Sequence, residues 1–435
     1  MPISIPSVWM RILGKCLAKH SADRGAQLQP LQVGVRVANA PEQVVFLVRG
    51  ALAMHKGSVL VKADLRNAFG SIHRTAMLGA LLKSEDCAGM QYFLAVNGDA
   101  STIRWTRTDD DTSETLSYQR GVAQGDPMSP LFFSEGLHPA LQEIAKTKEA
   151  YLTISFLDDV FVVGSPTCAT SLLEGGAFQA ALNQHGTGLT LNTDKTLVYD
   201  PWHVHEARKS HPLGSLKAET KGTTILGAYV GDRDFILEEL KKRLGEVEKL
   251  CKKLVDPEFN LEPQHAYAIL RYCVTSKVNH LWRTTPPSVS KSMALRMDDL
   301  VWKTTAMIAG LPPDEGTWGK LGVREERART IAALPFSLGG LGLGCALRNA
   351  TTGHLAGFSA CLKLTKHHHA EIHDWWLAKL QAREDKAPAS HQNGGVLRTR
   401  GHQQDRLQAR QLSRYSRAAR DEQRETPAKY HIPLC

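Results

Sequence analysis

Three acidic residues carry the first chemical signal in this sequence. Asp64 ends the run Ser58-Val-Leu-Val-Lys-Ala-Asp, and Asp158-Asp159 separate the apolar runs Tyr151 to Leu157 and Val160 to Val163. Adjacent carboxylates between apolar strands repel one another, and an ordered chain tolerates them best where solvent or a cation neutralises the pair. Hard cations take oxygen ligands, so three carboxylates at the ends of neighbouring strands can converge on one or two Mg²⁺ ions. Two such ions roughly 3.5–4 Å apart activate a hydroxyl and stabilise a leaving pyrophosphate, which is the chemistry of in-line phosphoryl transfer. Each acid also has a plainer reading. Asp is common in turns, and an acid at a strand end often caps the helix that follows. A third element, Arg120 to Pro130, holds Gly121 and Gly125, which permit close backbone approach, Gln124, which offers an amide at the mouth of the turn, and Pro127, suited to a helix start.

The elements needed to hold these groups are legible in outline. Ser58 to Asp64 reads as a buried strand, and Ile72, Leu78, Leu81 and Leu82 suggest an amphipathic helix behind it. Residues 90–120 carry two weak strand signals around Asp109-Asp110-Asp111. A helix is expected from the Gly121–Pro130 turn to about Lys146, then a hairpin with Asp158-Asp159 at its tip, a helix over about 168–185, and strands near Thr196–Tyr199 and Thr223–Val230. Strands and hairpins mixed with helices describe an α+β domain, a mixed sheet backed by helices. The first 50 residues, with Pro2, Pro6, Pro30 and Pro41, hold no complete domain of their own.

After Asp232 the pattern turns helical. Leu237, Leu240, Leu244, Val247, Cys251 and Leu254 share one helix face, while Lys241, Lys242, Arg243, Lys249, Lys252 and Lys253 occupy the rest, either as a solvated basic face or as a nucleic-acid contact. Helical patterns resume over His265–Arg283 and Ser290–Ile308, and a last pair runs to about Leu380. From Gln381 apolar residues thin out, and Arg398 to Lys429 holds eight arginines and one lysine against four acids, the composition of a basic, disordered or partly helical tail.

At 435 residues the chain is long enough for two or three domains, and its 42% hydrophobic and 22% charged residues are those of a globular protein. No apolar run approaches the roughly 18 residues of a membrane span, and the first 19 residues lack the pattern of a signal peptide. Eight scattered cysteines without a Cys-x-x-Cys pair suit a reducing compartment, so no membrane partner and an intracellular location are expected. A net charge of +9 favours a polyanionic partner. Cys345, Cys361, His369 and His373 can be strung into a Cys-Cys-His-His zinc set, although their wide spacing favours two ordinary buried cysteines and surface histidines instead.

Order and spacing then carry a resemblance. Lys62-Ala63-Asp64-Leu65-Arg66-Asn67-Ala68-Phe69, Gln124-Gly125-Asp126-Pro127-Met128-Ser129-Pro130 and Phe156-Leu157-Asp158-Asp159 resemble motifs A, B and C of reverse transcriptases. The middle motif is closest in wording to the non-LTR retrotransposon group. Gly188-Leu189-Thr190-Leu191-Asn192 with Asp194-Lys195-Thr196 resembles motif D, and Leu226-Gly227-Ala228-Tyr229-Val230-Gly231 resembles motif E. Leu334 to Gly342 is similar to a segment that follows the thumb in such elements, and assigns no chemistry.

The resemblance implies a right-hand polymerase with partial fingers (1–57), a palm (58–232), a helical thumb and connector (233–380) and a basic tail (381–435). It implies RNA-directed DNA synthesis, with an RNA template, a DNA primer and deoxynucleoside triphosphates as partners. Asp64, Asp158 and Asp159 would bind two Mg²⁺ or Mn²⁺ ions, with the Leu65 carbonyl completing a coordination shell. Phe69 would be the aromatic gate against a 2′-hydroxyl, or else a core aromatic. Gln124 would lie near the incoming nucleotide. Lys195 would approach the triphosphate, or else stand at an exposed strand edge. Lys241, Lys242, Lys249, Lys252 and Lys253 would meet duplex phosphates.

The match departs at the amino terminus, where Met1-Pro2-Ile3 stands in place of Arg-Pro-Ile and Gln29 to Val35 resumes the pattern. The chain is therefore expected to begin inside the fingers, and loss of closing elements costs rate. The rival expectations are an inactive remnant that still binds nucleic acid, and an RNA-dependent RNA polymerase, against which Phe69 argues.

Overall fold

The computed structural model describes residues 6–84, 86–98, 101–106, 113–203, 216, 218–311 and 325–385. They fall into two compact units that divide near residue 230, Met1–Leu226 with Val230–Phe235, and Gly227–Tyr229 with Ile236–Cys435.

The first unit opens with helices α1 (Val8–His20), α2 (Ala22–Gln27) and α3 (Ala40–Met54). Strand β1 (Val59–Ala63) follows, then α4 (Ala68–Ser71), α5 (Arg74–Lys83) and α6 (Cys87–Asn97). A hairpin, β2 (Ser101–Thr106) and β3 (Ser113–Tyr118), precedes α7 (Ser129–Ala145). Next come β4 (Ala150–Phe156), β5 (Asp159–Gly164), α8 (Pro166–Leu173), α9 (Ala177–Gln184), β6 (Leu197–Tyr199) and β7 (Ala218–Glu219). The last hairpin is β8 (Gly222–Ile225) and β9 (Ala228–Gly231).

Five strands form a mixed sheet in the order β4-β5-β1-β6-β7, antiparallel except for the β6–β7 pair. Both faces are covered. Val59, Val61, Ala63, Val160 and Val162 belong to one core cluster with Met77 of α5, Phe132, Phe133 and Leu137 of α7, and Phe178 of α9. One residue out of phase, Leu60, Phe161 and Val163 are also buried, and α3 packs against β4, β5 and β1. Burial on both faces explains why β1 and β5 read as continuous apolar runs and not as alternating ones. An α+β fold with a mixed sheet backed by helices is therefore what the residue pattern anticipated.

Local details depart from the pattern. The stretch before β2 is helix α6, because the Asp86 carboxylate accepts from the Gly89 amide at 2.8 Å and caps it, and Tyr92 and Phe93 bury one face. The single helix expected over 168–185 is two, parted at Gly175-Gly176, where Gly176 has φ +70°. The first 50 residues hold three helices, and α3 is buried over nearly its whole length because it supplies the second layer against the sheet.

The second unit is helical: α10 (Arg233–Leu254), α11 (Pro263–Ile269), α12 (Asn279–Thr284), α13 (Pro287–Ile308), α14 (Glu325–Ala333), α15 (Ala346–His368) and α16 (Ala370–Asp385). Ile236, Leu240, Leu244, Val247, Cys251 and Leu254 form the buried stripe of α10, with Ile236 in the place expected for Leu237. The helix expected over 265–283 is interrupted by a π-turn at Leu270–Val274 and a 3₁₀ turn at Thr275–Val278. Of the basic tail, 381–385 complete α16 and the rest lies outside the described residues, as does the acidic turn at 109–111. No helix among the described residues is long and apolar enough to cross a membrane.

Candidate active site

Antiparallel pairing brings the three acids together. Because β5 runs against β1, the end of one strand lies beside the start of the other, and the last paired residues are Ala63 and Val160. One step beyond them stand Asp64 and Asp159. Asp158 occupies the two-residue turn between β4 and β5, where Phe156 pairs with Asp159. All three carboxylates are half-buried at one end of the sheet.

Electrostatics at this end are unfavourable without a counter-charge. Burial pushes the Asp158 carboxyl above the usual carboxylate range, and the Asp64 charge adds to it. Asp159 is raised in the same direction by burial, then by Asp158 and Asp64, with Lys62 opposing. The Lys62 ammonium itself donates to the Thr224 carbonyl at 2.9 Å. Among the described residues no set of three His, Cys, Asp or Glu side chains is closed to metal-ligand spacing. The acids therefore share a site without forming a finished cage. Their donor chemistry nevertheless fits a hard divalent cation: oxygen ligands only, half-buried, with two ionised forms held at a cost that a cation would offset.

The segment around Asn192 fixes Asp64. Asn192 donates from Nδ2 to Asp64 Oδ2 at 2.8 Å and from its amide to the Asp64 carbonyl at 2.8 Å. The Thr196 hydroxyl accepts from the Asp64 amide at 3.2 Å. Leu65 is buried and bridges Leu191. That bridge uses the Asp64 carbonyl and the Arg66 amide, so Leu65's own carbonyl projects from the opposite edge of the strand. Lys195 is exposed within the turn that Asn192 opens, its amide donating to the Asn192 carbonyl at 3.2 Å.

Gln124 and Phe69 are joined by the backbone. Gly121 donates to the Ile72 carbonyl at 2.7 Å and Val122 to the Phe69 carbonyl at 2.8 Å, so the loop bearing Gln124 is fastened to α4. Gly121 has φ +71°, and a Cβ there would lie 2.3 Å from the Phe69 carbonyl oxygen, so only glycine fits. Asp126 orders the far side of the loop, accepting from the Tyr92 hydroxyl at 2.6 Å and the Met128 amide at 2.7 Å. Gln124 is half-buried. Phe69 is buried at 7% exposure and stacks on Phe133 with centroids 4.4 Å apart, so its ring is held in a fixed plane.

Not every expected residue stands alone as a free charge. On α10, Lys242 pairs with Glu238 and Glu239, and Lys252 with Glu248, while Lys253 lies over the Phe259 ring. Lys241 and Lys249 are exposed. The Cys345–Cys361–His369–His373 set is not brought together. The Cys345 thiol donates to Asp298, Cys361 is fully buried, and burial pulls His369 down to about 4.

Two positioning groups had no assigned part in the sequence reading. Asn192 was visible only as a motif letter. Gln32 lies in the Gln29–Val35 pattern, and its buried side chain bonds Leu157 beside Asp158. Nothing in local spacing marks either contact, since their partners are more than 100 positions away.

Comparison with known proteins agrees with the motif order. The family described as "Reverse transcriptase (RNA-dependent DNA polymerase)" matches residues 1–228. The retrotransposable element SLACS 132 kDa protein of Trypanosoma brucei gambiense is 26% identical over 360 residues, 79% of this chain and 27% of that protein. The Pol polyprotein from the type-1 retrotransposable element R2 of Nasonia vitripennis is 23% identical over 72% of this chain and 31% of its own length. The chain thus spans about a third or less of these relatives. Among solved structures, apo telomerase from Candida tropicalis overlaps 72% of this chain and 57% of its own, at 13% identity and a TM-score of 0.36.

Proposed function

Because the chain belongs to the reverse transcriptase family, we propose that it is the polymerase core of a non-LTR retrotransposon enzyme, adding deoxynucleotides to a primer 3′-hydroxyl on an RNA template. The observation that carries the reading is the meeting of Asp64 with Asp158 and Asp159 where β1 ends and β5 begins. In this reading 58–232 is the palm, 1–57 contributes fingers, 233–380 is thumb and connector, and 381–435 is a basic tail.

Asp64, Asp158 and Asp159 would hold two divalent ions, Mg²⁺ or Mn²⁺, with the Leu65 carbonyl as a further oxygen donor. Those ions, when bound, lower the cost of the primer alkoxide and of charge on the leaving pyrophosphate. The chain's own residues do the positioning. Asn192 and Thr196 keep Asp64 oriented. Phe69, braced by Phe133, sets its ring as the wall that excludes a 2′-hydroxyl. A gate must not swing, and stacking prevents it. Gln124 sits on the loop fastened to that wall and meets the incoming nucleotide. Lys195, in the turn anchored to Asp64, offers its ammonium to the triphosphate. Lys241, Lys249 and Lys253 on α10, with Lys242 and Lys252 beside them, contact backbone phosphates.

Primer extension on an RNA template tests the proposal. Extension with dNTPs and Mg²⁺ is expected from the wild-type chain and not from Asp158→Asn, with NTPs used poorly. Equal extension by both chains would overturn it. Lack of extension with salt-sensitive RNA binding intact would favour a binding remnant, and preference for NTPs an RNA polymerase.

A further inference from the structure

We propose that Gln32 is the positioning residue of the acidic turn, holding Leu157 in a backbone conformation that it would not keep alone and thereby setting Asp158 for metal binding. The inference rests on the metal-site reading above. Leu157 has φ +55°, in the left-handed region, where a bulky L-residue is rare and costs roughly 1–2 kcal/mol. Two-residue hairpin turns usually put glycine or asparagine at such a position. Strain of this kind persists where surrounding structure over-determines it.

Gln32 supplies that determination. Its Oε1 accepts from the Leu157 amide at 2.8 Å and from the Gly34 amide at 2.9 Å, and its Nε2 donates to the Leu157 carbonyl at 3.1 Å. One side chain thus grips both polar groups of the strained residue. Only this orientation of the amide satisfies two donors and one acceptor at once. Gln32 has 0% exposure, so water cannot replace these bonds.

The clamp has a rigid base. Val33 donates to the Ser155 carbonyl at 2.9 Å and Ser155 to the Leu31 carbonyl at 2.7 Å, so the segment around Gln32 runs parallel to β4 as a short bridge. Gly34 closes the contact, since a Cβ there would stand 2.6 Å from the Leu157 nitrogen. The neutral amide also suits the place. Glutamate would keep the two accepted bonds, lose the donated one and add a negative charge next to Asp158-Asp159.

The test uses Mn²⁺ alone as probe, with no nucleic acid, read by EPR titration of free Mn²⁺ on the full chain. Gln32→Met, similar in volume, is expected to weaken Mn²⁺ binding about 10–100-fold, the usual cost of losing a partner that orients a ligand. Hydrogen exchange in the peptide covering 151–164 is expected to speed up in parallel. Gln32→Glu serves where the Met variant does not fold, and is expected to expose the same peptide less. In a Leu157→Gly background, where glycine adopts positive φ freely, the Gln32→Met penalty is expected to shrink. A purely structural role would lower thermal stability and leave Mn²⁺ affinity of the folded chain unchanged, which would overturn the proposal, as would an equal penalty in both backgrounds. Asp158→Asn separates the two ideas. If it binds Mn²⁺ as wild type does, the metal-site reading fails and takes the proposal with it. If it loses Mn²⁺ while Gln32→Met keeps it, only the proposal fails.

Discussion

At the residue scale the acids are placed at a cost to stability. Asp158 and Asp159 both titrate above the usual carboxylate range in the folded chain, through burial first and neighbouring negative charge second. The folded state therefore holds its protons to higher pH than the unfolded state does. Stability is unpenalised below the unfolded value, about 3.9, and falls as pH rises from there through the raised folded value. Asp158→Asn removes one source of that loss. It is expected to melt higher than wild type at pH 7 in EDTA and to decline less between pH 4 and 7, while losing extension. An unchanged or lower melting temperature at pH 7 would show that the acids are not in electrostatic tension. The two aspartates were legible as a candidate metal-binding pair in their motif, whereas the grip of Gln32 on Leu157 was not, because hydrogen bonding across 125 positions leaves no trace in local spacing.

At the scale of elements, the loop from Gly121 to Met128 behaves as an extension of α4. Its glycine is demanded twice, by φ +71° and by the 2.3 Å that a Cβ would leave to the Phe69 oxygen. Gly121→Ala is expected to cost at least about 1–2 kcal/mol from conformation alone, with the clash adding to it, seen as a lower denaturation midpoint and a poorer KM for dNTPs. A variant as stable as wild type would mean that the loop is not fastened as described. Helix α10 offers a graded test, because its basic residues are not equivalent. Lys242 and Lys252 are partly neutralised by glutamates of their own helix. Lys241→Ala and Lys249→Ala are each expected to reduce the salt dependence of RNA binding by about one unit of log–log slope, and Lys242→Ala and Lys252→Ala by less. Slopes unchanged from that of the unsubstituted chain in all four would place the nucleic acid elsewhere. The amphipathic period announced this helix, but the pairing of its charges depends on which rotamers meet across a turn.

At the scale of the whole molecule, the proposed metal site belongs to one unit. Only the first carries the three acids and the elements that hold them. Mg²⁺ is thus expected to slow hydrogen exchange in peptides covering 58–66, 150–164 and 188–196 and to leave 236–385 unchanged. Protection spread evenly over both units would argue against a local metal site. The family and its non-LTR branch, expected from motif wording, agree with the match over 1–228 and with the retrotransposon relatives. Strand and helix types near the acids were also legible, since β1 and β5 are short, β-branched and apolar. The helices of the first 50 residues were not, because α3 is buried nearly all round and shows little contrast between faces.

What the sequence by itself determined is chemistry and order: three carboxylates, an aromatic five residues after the first, and a glutamine between two glycines. Those follow from residue identity and short spacing, which the chain carries without folding. Only the tertiary structure decided which groups hold them. Antiparallel register set Asp64 beside Asp159, Asn192 came to grip Asp64, and Gln32 reached the strained turn. Such contacts are fixed by strand pairing and side-chain reach between segments far apart in the chain, quantities that no local pattern encodes.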